Sequence, residues 1–118
     1  MVAPQNRRQS ERIQPFVAPC RYVVAEERVA AFLTDISRHG GRVHTEAEPP
    51  PVGATLTVEL RLARQPVALR LPASVRWAGP GERGGFVFGV RFEGVGPDEQ
   101  KTLDALVEGF LRRAASII

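Results

Sequence analysis

Apolar positions recur at every second residue through much of this chain. From Thr55 to Leu62, the residues Leu56, Val58, Leu60 and Leu62 share one face, while Thr55, Thr57, Glu59 and Arg61 share the other. Val67 to Trp77 alternates again through Val67, Leu69, Leu71, Ala73, Val75 and Trp77, and Phe86 to Phe92 through Phe86, Phe88, Val90 and Phe92. This period predicts strands with one covered face. Two β-branched stretches come earlier, Phe16–Val24 and Arg28–Thr34, with Arg42–Thr45 after them. Pro19 suggests an edge or a bulge in the first. Turns are expected at Glu26-Glu27 and Gln65-Pro66, and loops at Glu48–Gly53 and Gly79–Gly85. Strands at this spacing with Gly/Pro turns predict a small antiparallel barrel.

The period then changes to that of a helix. Pro97-Asp98-Glu99 opens it with acids in the first turn, and Arg112-Arg113 falls in the expected last turn. Leu103, Leu106, Val107, Phe110, Leu111 and Ala114 form one apolar stripe, read as packing on the barrel. The predicted helix covers about residues 98–115.

At 118 residues the chain fits one domain with a core of its own. Its organisation reads as a flexible polar arm over residues 1–14 and a barrel with its helix over 15–118. A net charge of +3 permits an anionic partner without demanding nucleic acid. Cys20 is the single cysteine, so no internal disulfide can form, and Met1 is followed by no secretory apolar stretch. Both features predict a reducing, cytoplasmic setting. No apolar run approaches membrane-spanning length.

The candidate chemistry is concentrated in two places. The stretch Thr34–Val43 carries Asp35, Ser37, the pair Gly40-Gly41, and the cationic or imidazole side chains of Arg38, His39 and Arg42. It is expected to be a turn between two strands. The glycines there would permit positive φ and close approach of a bound group, with backbone N–H groups forming an anion nest. Asp35 and Ser37 could equally do no more than shape the turn. The second place is the arm, with Arg7, Arg8 and Arg12 against a single acid, Glu11. Guanidinium groups fork onto phosphates and the guanine O6/N7 edge, and they stack on flat bases. A solvated basic tail is the plainer reading.

Evidence for an enzyme is thin. His39 and His44 have no metal-ligand spacing with Cys20, and no nucleophile elbow, P-loop or carboxylate pair is present. Cys20 reads as a small core hydrophobe. A single-strand nucleic-acid binder would need several exposed aromatics along a basic groove. The Phe residues alternate inward, leaving only Trp77 and Tyr22, which argues against that class. The chemistry here is binding, with no metal or cofactor called for.

Taken in order, Arg7-Arg8-x-x-x-Arg12 and Asp35-x-Ser37-x-x-Gly40-Gly41 resemble the double signature of PilZ domains. The resemblance extends to Pro51-Val52-Gly53, to the strand ending Ser74-Val75-Arg76-Trp77, and to Gly89-Val90-Arg91-Phe92 before the helix. It implies a six-stranded antiparallel β-barrel that binds the bacterial second messenger cyclic di-GMP, usually as an intercalated dimer. By that resemblance, Arg7, Arg8 and Arg12 would contact phosphates and guanine edges, and Asp35 would accept from guanine N–H groups. Ser37 would add a hydrogen bond, Gly40 and Gly41 would leave room, and Trp77 would stack on a base or be a core or rim residue. Arg38 and His39 replace smaller residues of the pattern. The signal would pass to an unidentified downstream protein. A nucleotide-independent adaptor, for example in motility or type IV pilus function, is the other reading.

Overall fold

Alternation along the chain becomes a barrel because each strand has one face that must leave water. The computed structural model describes residues 18–61 and 68–117, with side chains to residue 109. The strands are β1 (Ala18–Val24), β2 (Glu27–Ile36), β3 (Gly40–Thr45), β4 (Thr55–Leu60), β5 (Leu69–Pro80) and β6 (Phe86–Phe92). They close in the order β1-β2-β3-β6-β5-β4, every neighbour antiparallel. The β1–β4 seam spans Arg21–Val23 against Thr57–Glu59. Pro19 lies in the part of β1 that pairs with β2 alone, an edge-like position within a closed sheet.

The inward set fills the interior. Leu33, Ile36, Val43, Val58, Leu71, Val75 and Phe88 are fully covered. Each such side chain contributes about 1.5–3 kcal/mol over exposure to water. Tyr22, expected at the surface, is instead buried: its ring meets Phe88 edge-on at 5.2 Å, and its hydroxyl lies 3.4 Å from Thr45 Oγ1. Phe32 breaks the inward pattern the other way and is 48% exposed. It faces outward because it is out of phase with its neighbours Ala31 and Leu33, both buried.

Two bulges interrupt the alternation. Leu33 pairs with Val43 and Asp35 with Arg42, so Thr34 is an extra residue on β2. Val75 pairs with Val90 and Trp77 with Gly89, so Arg76 is extra on β5. The second bulge turns Trp77 off the inner face that strict alternation with Val75 would give it. Two connections also differ. The β1–β2 turn is Ala25-Glu26, both at positive φ (50° and 68°), with Glu27 already in strand. Gly79 and Pro80 belong to β5, opposite Val87 and Phe86. Residues 62–67, including Leu62, Gln65, Pro66 and Val67, lie outside the described residues.

The helix α1 runs Pro97–Ile117, longer than predicted. Arg112-Arg113 therefore stands a turn before its end, and the last turn carries no basic residue. Leu103 and Val107 are buried and Leu106 packs partly on the core, as the stripe required.

Candidate functional site

The signature stretch is more strand than turn. Asp35 and Ile36 end β2, Gly40 and Gly41 begin β3, and only Ser37-Arg38-His39 connects them. Ser37 is buried and shapes this connection. Its N–H donates to the Gly40 carbonyl at 2.9 Å, and its Oγ accepts from the N–H groups of His39 (3.2 Å) and Gly40 (3.3 Å). Those N–H groups are thus occupied by Ser37, in place of the expected anion nest. The His39 carbonyl accepts from the Phe92 N–H at 2.8 Å, which fixes the turn to the end of β6.

Neither Gly40 nor Gly41 adopts positive φ, contrary to the sequence expectation. What they need is space. A Cβ on Gly40 would run into the Val90 carbonyl oxygen, and one on Gly41 would lie 2.7 Å from the Asp35 carbonyl oxygen. The barrel's own backbone occupies the room beside both.

Asp35 is only 2% exposed, and its Oδ2 accepts from Arg42 Nη2 at 3.4 Å. The pairing register extends this contact into a row across four strands. Asp35 of β2 stands opposite Arg42 of β3, Arg42 opposite Gly89 of β6, and Gly89 opposite Trp77 of β5. The next row holds Phe32, His44, Val87 and Gly79. The outer face therefore carries a carboxylate, a guanidinium and two exposed aromatic rings, with Trp77 47% exposed. Such a face suits a flat, polar, anionic ligand: rings to stack on, an acceptor for N–H groups and a cation for phosphate.

Arg38 points elsewhere. Its Nη2 donates to Glu108 Oε1 at 2.9 Å, its Nε lies 3.8 Å from Asp104 Oδ1, and its carbonyl accepts from Gln100 Nε2 at 3.4 Å. Gln100, Asp104 and Glu108 form one stripe of α1, so Arg38 ties the signature turn to the helix. Cys20 plays no part in the site: burial pushes its thiol up to about 12. Arg7, Arg8, Arg12 and the whole arm over residues 1–14 lie outside the described residues. The sequence reading missed Phe32, Arg42 as the partner of Asp35, and Gly89. Only strand register exposes the last two.

The family model of the PilZ domain matches residues 6–109, a span that includes both the arginine cluster and the signature turn. This chain belongs to the PilZ domain family. No curated protein matches it by sequence. Among solved structures, the inhibitor of motility MotI/DgrA of Bacillus subtilis is 19% identical, with a TM-score of 0.74 over 93% of this chain and 52% of that one. YcgR of Escherichia coli in complex with c-di-GMP is 18% identical, with a TM-score of 0.75 over 93% of this chain and 48% of that one. The PilZ domain of YcgR with c-di-GMP is 17% identical, with a TM-score of 0.72 over 93% and 95%. This PilZ domain spans about half the length of MotI and of YcgR, and at these identities the likeness establishes the fold. Among the described residues, no helix is long and apolar enough to cross a membrane.

Proposed function

We propose that this PilZ domain is a receptor for cyclic di-GMP and that it passes the signal on through a changed surface. The observation that carries the reading is the row Asp35–Arg42–Gly89–Trp77, which sets a buried carboxylate and an exposed indole on one outer face. Two of the similar structures hold the same ligand, which supports it. A carboxylate accepts several hydrogen bonds, so guanine N–H groups can add to the Arg42 contact at Asp35. Trp77 offers an open ring face to a base. Ser37, Gly40 and Gly41 hold the turn and strand beneath the ligand. Arg7, Arg8 and Arg12 close over it, forking onto phosphates and guanine edges, with the ligand taken as an intercalated dimer. Three like charges at close spacing repel until a ligand with two phosphates cancels them. Binding then orders the arm across the barrel's outer face, and a downstream protein reads the result.

Calorimetric titration tests this. Cyclic di-GMP should bind with micromolar or tighter affinity, about −8 kcal/mol or better. Arg8→Ala, Arg12→Ala and Asp35→Asn should each weaken it about tenfold, the scale of one charge-assisted hydrogen bond. Absence of heat and of any thermal shift at high ligand concentration would leave the nucleotide-independent adaptor as the better reading.

A further inference from the structure

We infer that Gly89 is a positioning residue for Trp77: its missing side chain is the seat of the indole. The inference rests on the cyclic di-GMP reading for its effect on binding, but not for the seat itself. Gly89 lies in the middle of β6, inside the run Phe86–Phe92, where β-branched residues fit best and glycine weakens a strand. Its φ is not positive, so the backbone conformation does not require glycine. Space does. A Cβ built on Gly89 would overlap Nε1 and Cε2 of Trp77 and lie 2.9 Å from Cδ1. All three are atoms of the indole's five-membered ring, which therefore rests on the Gly89 backbone.

Three features converge on that placement. The extra residue Arg76 inverts the phase of β5, so Trp77 leaves the core side that Val75 occupies. The ladder then sets Trp77 directly opposite Gly89. On the other side of Gly89 stands Arg42, the partner of Asp35. With the indole lowered onto β6, it stays half-exposed in the row that holds the Arg42–Asp35 pair. A side chain at position 89 would lift the ring away from the sheet and out of line with that pair. Two aromatic χ angles then have no wall to rest on, and the stacking surface loses its preorganisation.

Trp77 is the sole tryptophan, so its emission reports on the seat without ambiguity. In the ligand-free Gly89→Ala protein, emission should shift to the red and iodide quenching should rise. Cyclic di-GMP affinity should fall about tenfold, the scale of one lost base–aromatic stack. In a Trp77→Ala background the same Gly89→Ala change should alter affinity less than about twofold, because neighbours that act through one contact are not additive. A purely structural role would weaken binding equally in both backgrounds and would overturn the inference, as would unchanged emission and quenching. Should Gly89→Ala fail to fold, the Gly89 Hα resonances decide. A stacked indole shifts them upfield in the wild type, and Trp77→Ala returns them to the ordinary range; ordinary shifts in the wild type refute the seat. If the wild type binds no cyclic di-GMP, the receptor reading fails, while emission and NMR still decide the seat.

Discussion

Replacing Gly40 by alanine separates a glycine kept for a ligand from one kept for the barrel. The added methyl would clash with the Val90 carbonyl oxygen and approach Val90 C and Arg91 Cα to 3.3 Å. All three are backbone atoms of β6, so no side-chain rotation relieves the contact. The β3–β6 ladder, which pairs Gly40 with Arg91 and Gly41 with Val90, must open locally. Overpacking of this kind costs about 1–3 kcal/mol. Alanine also restricts the unfolded chain, which offsets about 0.4–1 kcal/mol where the φ is compatible. The net loss is roughly 1–2 kcal/mol. For a domain near this size that lowers Tm by about 4–8 °C.

Gly79→Ala is the matched control. Gly79 is also a strand glycine without positive φ, but nothing lies within 4 Å of its Cβ position. Only the unfolded-state gain applies, so Tm should hold or rise by about 2–4 °C. Thermal and urea unfolding without nucleotide measures both variants, with an unchanged urea slope confirming that stability alone has moved. A Gly40→Ala protein as stable as Gly79→Ala would refute the steric account and return Gly40 to a role in ligand contact.

Three further outcomes follow from the structure. Arg38→Ala should speed amide exchange over residues 101–109 of α1 while lowering Tm by no more than about 8 °C, since its two exposed pairs contribute about 0–1 kcal/mol each; unchanged exchange would show that these ion pairs do not hold the helix. Glu59 accepts from Arg28 Nε at 3.1 Å and lies 3.3 Å from Arg70 Nε. The Arg28 hydrogen bond, then the charges of Arg28, Arg70 and Arg21, hold its carboxyl below the usual range. A lowered folded-state pKa stabilises above the unfolded value, about 4.3, and that stability is lost as pH falls through the folded value. Glu59→Gln should therefore melt below wild type at pH 7, with the gap closing below about pH 4; a gap independent of pH would place the effect in packing. Cys20, with its thiol pushed up to about 12 by burial, should resist alkylation in the native protein at pH 8 and react once urea unfolds it. Rapid native labelling would contradict the burial.

The strand plan was legible because period two survives wherever a strand keeps one partner face. Leu56, Val58, Leu60, Phe88, Val90 and Phe92 all fall where alternation put them. The bulges were not legible, because an extra residue is defined by the neighbouring strand and leaves no local mark. Thr34 and Arg76 read as ordinary members of their runs. The mistaken extent of the signature turn follows from that, and so does the open choice between a core and an exposed Trp77. Asp35 and Ser37 could be named by residue type and spacing, but Arg42, eight residues past Thr34 along the chain, became the partner of Asp35 only through register. Phe32 escaped notice because one aromatic in a run of apolar residues carries no sign of which face it takes.

The two bulges also explain why the binding face lies where it does. A barrel this small fills its interior with side chains, so a ligand face has to be built on the outside. Under strict alternation Asp35 would follow Leu33 inward and Trp77 would follow Val75 inward, each two residues further along its strand. One extra residue on β2 and one on β5 invert both phases just before those positions. Leu33 and Val75 remain in the core, and the acid and the indole emerge at opposite ends of a single row. Between them the row passes Arg42, which neutralises the acid, and Gly89, which lies under the ring. The core and the candidate site thus do not compete for the same residues. Each strand spends its inward positions on packing up to the bulge and its outward position on chemistry immediately after it.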